Sequence, residues 1–121
     1  MLTYKRIGIV GSREFKNYAQ ILREFLANST IGDWIISGGA IGVDSMAQRI
    51  AKQTGHPILI FYPDYDTYGK GATFTRNKEI VQHSDIVLAF YVKDRFQMGG
   101  TSNSAEWARK LGVELLEFRE E

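Results

Sequence analysis

The sequence has no cysteine, which excludes disulfides and thiolate metal sites and merely allows a reducing interior. Its two histidines, His56 beside Pro57 and His83 at a helix end, form no cluster, so no metal and no cofactor is expected. An excess of one charge is missing too: 15 Lys and Arg stand against 14 Asp and Glu, a formal net charge of +1. On that balance nucleic acid is set aside as a partner, with only a local basic patch left as a route to it. No apolar run is long enough to cross a bilayer, and the opening MLTYKRIGIVGSREF turns polar too early for a signal peptide. A cytoplasmic protein without a membrane partner is expected.

What is present is a regular alternation. Short apolar runs at Arg6 to Val10, Asp33 to Ile36, His56 to Tyr62 and Asp85 to Val92 read as strands buried on both faces. Val113 to Phe118 alternates partly with Glu114 and Glu117, as an edge strand does. Between the runs, Tyr18, Ile21, Leu22, Phe25 and Leu26 recur at helical spacing, as do Val43, Met46, Ala47, Ile50 and Ala51. Weaker helices are expected from Ala72 to His83 and around Ala105, Ala108 and Leu111. Gly32, Gly55 and Gly112 each stand where a left-handed helix cap belongs. The pattern predicts one α/β domain over residues 1–121. It is a Rossmann-like three-layer αβα fold with a five-stranded parallel sheet in the order 3-2-1-4-5.

In such a sheet all strand-to-helix turns share one edge, where ligands bind. Eight of the 12 glycines fall at those turns, more than chain reversal needs, so the backbone is expected to approach something closely. The first turn, Gly11-Ser12-Arg13, offers a sharp bend, a hydroxyl and a guanidinium fork suited to phosphate or carboxylate. Alone it reads equally well as an ordinary helix start. The second, Ser37-Gly38-Gly39-Ala40-Ile41-Gly42-Val43-Asp44, runs into a helix N-terminus whose amides and dipole suit an anion. It lacks the lysine and hydroxyl of a P-loop. Asp44 suits ribose hydroxyls or, equally, the helix dipole.

The long third turn carries Asp64, Tyr65, Tyr68 and Lys70, either contacts for a base or a lid packed on its own scaffold. Arg76-Asn77 follows early in a helix, where an arginine opposes the dipole and so points to an anion. The fourth turn, Met98-Gly99-Gly100-Thr101-Ser102-Asn103-Ser104-Ala105-Glu106, is a second anion nest.

Taken together these turns resemble the SLOG superfamily, which groups the Smf/DprA DNA-processing proteins, the lonely guy phosphoribohydrolases and small YspA-like proteins. The likeness spans Ile7 to Val113 and is greatest to the small stand-alone branch. It implies a site for a nucleotide-type small molecule, built from Gly11, Ser12, Arg13, Ser37, Gly38, Gly39, Ala40, Asp44, Asp64, Asn77, Gly99, Gly100 and Thr101. It also implies a homodimer or higher homo-oligomer.

Similarity to the lonely guy enzymes further implies hydrolysis of the N-glycosidic bond of a nucleoside 5′-monophosphate, with Glu106 and Arg76 as catalytic residues. Anchored on the glycine pair, their PGGxGTxxE motif places its glutamate at Glu106. Anchored on the threonine, it places that position at Ser104, and Asn77 stands where a lysine usually follows the arginine. A non-catalytic nucleotide sensor or sequestering protein is the alternative, and a single-stranded DNA binder ranks third.

Overall fold

The computed structural model describes residues 3–121. Five strands, β1 (Arg6–Gly11), β2 (Trp34–Ser37), β3 (Ile58–Ile60), β4 (Ile86–Tyr91) and β5 (Glu114–Arg119), form one parallel sheet in the order β3-β2-β1-β4-β5. The helices are α1 (Tyr18–Ala27), α2 (Val43–Thr54), the four-residue α3 (Tyr65–Tyr68), α4 (Ala72–Gln82) and α5 (Gly100–Leu111). The strand order is the one the alternation predicts, and the fold is α/β and Rossmann-like.

Strand periodicity explains the layers. Along β1 and β4, Ile7, Ile9, Ile86, Leu88 and Phe90 join Phe15, Ile21, Phe25 and the buried face of α2 in one core. Their neighbours Val10, Val87, Ala89 and Tyr91 join Ile80, Val81 and Ala108 of α4 and α5 in the other. Successive side chains point to opposite faces, so the central strands must be apolar throughout, and β4 is buried at all six positions. Burying each large aliphatic side chain supplies about 1.5–3 kcal/mol. No helix among the described residues is long and apolar enough to cross a membrane.

Three local expectations need correction. The third strand is shorter than His56 to Tyr62: its ladder covers Ile58 to Ile60 only. The third turn is not simply a loop, because Tyr65–Tyr68 winds into α3, with Asp64 accepting from the Thr67 amide at 3.1 Å as its N-cap. Gly55 and Gly112 are left-handed C-caps of α2 and α5, but Gly32 caps nothing. Helix α1 ends at Asn28, and Gly32, at φ 96°, gives room to the Tyr4 ring.

Candidate functional site

The strand order reverses between β1 and β4, and the turns leaving these two strands separate there. Ser12 N donates to Phe90 O at 3.0 Å, tying them together at their base. Above this point opens a cleft of about 420 Å³, within the roughly 300–1,000 Å³ typical of small-molecule sites. The β1 turn lines it with Gly11, Ser12, Arg13 and Glu14, and the segment after β4 with Val92, Arg95, Met98 and Gly99. Ala40 and Asp44, then Phe74, Arg76 and Asn77 of α4, and Gly100, Thr101 and Ser104 of α5 complete the wall.

The glycines divide by what surrounds them. A Cβ on Gly38 would lie 2.8 Å from Arg76 Nη1 and 2.9 Å from Asp44 Oδ2, and one on Gly39 would meet Ile60 and Tyr62. On Gly42 it would strike the backbone of Ser12 and Arg13 at 2.6 Å. Gly38 and Gly39 therefore accommodate the protein's own chain and do not line the cleft. The start of α2 is likewise occupied from within: Val43 N donates to Ser12 O at 3.4 Å and Ala40 N to Asp44 Oδ2 at 3.0 Å. Gly99 and Gly100 differ. Around them a Cβ would find only the Arg95 guanidinium at 3.8 Å, or nothing. Gly99 precedes α5 at φ 80° and no side chain caps the helix, so its first amides are presented to the cleft without a side-chain acceptor. Of the two turns expected to hold an anion, only the one at Gly99–Gly100 lines the cleft with its glycines.

The charged groups divide in the same way. Arg76 donates through Nη1 to Gly38 O at 2.6 Å and through Nε to Asn77 Oδ1 at 3.0 Å, while Asn77 Nδ2 reaches Asn103 Oδ1 at 3.1 Å. This chain joins α4 to the β2 turn and to α5. Arg13 and Arg95 enter no ion pair among the described residues. Asp44 is buried, and burial pushes its carboxyl above the ordinary value, against the opposing pull of the Ala40 amide and Arg76.

Of the remaining expected residues, Ser37 is fully buried in β2 and its hydroxyl has no partner among the described residues. It lies outside the cleft lining, as does Asp64. Glu106 is exposed on α5 and does not line the cleft, whereas Ser104 does. The position that the threonine anchor selects thus faces the cleft, and the one that the glycine-pair anchor selects does not. Tyr65 and Tyr68 are exposed away from the cleft. Phe74 and Met98, which the sequence reading did not single out as contacts, line it and are each 56% exposed.

The parallel sheet, with a cleft at the switch point bordered by the α5 start and by Arg13 and Arg95, defines a Rossmann-like fold. The chain belongs to the DNA recombination-mediator protein A family, whose sequence profile matches residues 1–64, just over half of it. The fold is similar to that of DNA processing protein A (DprA) from Streptococcus pneumoniae, with a TM-score of 0.57 at 18% identity over 93% of this chain and 58% of that one. The chain thus spans less than two thirds of that protein's length. A comparison with curated protein sequences gives no match. Both findings agree with the SLOG resemblance. They also correct one expectation: nucleic acid was set aside on net charge, and a family named for DNA recombination removes that ground. Net charge averages over the surface, whereas binding follows local charge, and Arg13 and Arg95 stand together at the cleft.

Proposed function

We propose that the cleft binds a phosphorylated nucleoside. The phosphate rests on the first amides of α5, at Gly100 and Thr101, between the guanidinium groups of Arg13 and Arg95, and the base lies against Phe74 and Met98. The observation that carries this reading is the conjunction of an uncapped α5 start, with open space at Gly100 and only the Arg95 guanidinium near Gly99, and two arginines that enter no ion pair among the described residues. Arg76 shapes the wall and Asp44, facing the same cleft, suits a sugar hydroxyl. The reading is of a binder: Glu106 stands outside the cleft, so it takes no part in cleaving an N-glycosidic bond.

Calorimetric titration with AMP tests this. Binding is expected, and at 100-fold saturation it stabilises the fold by about 2.7 kcal/mol. Replacing both Arg13 and Arg95 by alanine weakens it at least about tenfold, as the loss of charge-assisted hydrogen bonds requires. Absence of binding across the nucleoside monophosphates overturns it.

A second reading, that the nucleoside unit belongs to single-stranded DNA, is favoured by the family. It is also supported by an open groove beside the cleft, where Lys16 and Lys93 join Arg13 and Arg95 against Glu14, Asp94 and Glu120. Oligonucleotide affinity would then fall with salt, with a slope of about −0.7 per phosphate contacted. A salt-independent or absent response rejects it.

A further inference from the structure

Glu117 of β5 is a meeting point for three donors. Tyr91 Oη donates to its Oε2 at 2.7 Å, Gln97 Nε2 to Oε1 at 3.1 Å, and Arg109 Nη2 also to Oε1. The glutamate side chain is 13% exposed; its contact with Tyr91 is partly buried, whereas those with Gln97 and Arg109 lie at the surface. Burial first, and then the hydrogen bond to Glu117, push the Tyr91 hydroxyl well above its ordinary value, which keeps it a donor.

Gln97 is the one non-glycine residue among those described with a positive φ, 61°. That region crowds a Cβ against the backbone, so something must hold the residue there. Its neighbours are fixed on both sides. The Phe96 ring stands edge-on to Tyr91 with centroids 5.3 Å apart, and Met98 N donates to Arg95 O at 3.1 Å. The same segment delivers Arg95, Met98 and Gly99 to the cleft, which Glu117 itself does not line.

We infer that Glu117 is a positioning residue for the cleft. By holding Gln97 in the left-handed conformation, it sets the direction in which Arg95 and the Gly99–Gly100 amides face the ligand. The inference rests on the ligand-binding reading of the cleft, and it assigns to the outermost strand a role in a site formed at the centre of the sheet.

The test uses the intact protein and four variants: Gln97→Ala, Gln97→Gly, Glu117→Ala, and Glu117→Ala combined with Gln97→Gly. Alanine loses the amide contact and keeps the crowded Cβ, whereas glycine loses the contact but adopts the conformation freely. Gln97→Ala is therefore expected to speed backbone hydrogen exchange at residues 95–101 and weaken AMP about five- to tenfold. Gln97→Gly stays within about twofold of the parent. Glu117→Ala weakens AMP about tenfold and the added Gln97→Gly recovers most of the loss. A merely structural glutamate would show no such recovery. Equal effects of alanine and glycine at position 97 overturn the inference, and that contrast keeps the test decisive even where Glu117→Ala fails to fold. Should AMP not bind at all, the ligand reading fails, and the exchange contrast still decides whether Glu117 holds the segment.

Discussion

The Arg76 guanidinium donates to the Gly38 carbonyl at 2.6 Å, which fastens the start of α4 to the turn after β2. An arginine that looks from the sequence like an anion ligand thus serves first as a clamp between two elements. Charged donors to such carbonyls contribute about 1.5–3 kcal/mol. Arg76→Ala is expected to lower the unfolding free energy in urea by that order, through loss of the clamp and of the nearest cation to buried Asp44. A variant as stable as the parent would show the clamp to be idle.

The two glycine pairs should respond oppositely. Gly38→Ala places a methyl group within 3 Å of Arg76 and Asp44 and is expected to cost about 1–3 kcal/mol by overpacking. Gly100→Ala meets nothing within 4 Å and sits in a helix, so stability should hold or rise by up to about 1 kcal/mol. Its methyl intrudes on the phosphate position, and AMP affinity should fall. Denaturation and titration of the two variants side by side check the contrast.

Part of the acid sensitivity should trace to Asp33, which is fully buried. Burial pushes its carboxyl up, but the amides of Lys5 and Thr30, at 2.9 and 2.8 Å, outweigh that and hold it below its ordinary 3.8. A folded-state value below the unfolded one means that the carboxylate stabilises the fold above about pH 4 and the contribution is lost as pH falls through the folded value. Asp33→Asn should therefore be less stable at pH 7 and converge on the parent towards pH 2–3. Parallel stability curves for the two proteins would contradict this.

Glu106→Ala should leave AMP binding within about twofold, because rim-distant surface substitutions seldom exceed roughly 0.5 kcal/mol. A large loss, or loss of a measurable glycosidase activity, would return Glu106 to the site.

The sheet was legible because parallel strands buried on both faces must be apolar without interruption, as Ile86–Tyr91 is. The site was only half legible. Glycine is required equally where the chain meets itself, at Gly38, Gly39 and Gly42, and where a ligand can approach, at Gly99 and Gly100. Composition does not separate the two. The displacement of Glu106 did carry a signal: Thr101, Ser104, Ala105 and Ala108 form the buried face of α5. At about 100° per residue, Glu106 lies about 200° around the helix from Ser104. Gln97 gave no signal, since the Glu117 carboxylate that its side-chain amide contacts lies 20 residues away in the sequence.

A crystal structure of the protein grown with AMP tests the central claim most directly. The phosphate is expected on the Gly100 and Thr101 amides between Arg13 and Arg95, with the adenine against Phe74 and Met98. A phosphate bound at the Gly38–Gly39 turn, or a cleft that stays empty at saturating AMP, would contradict it.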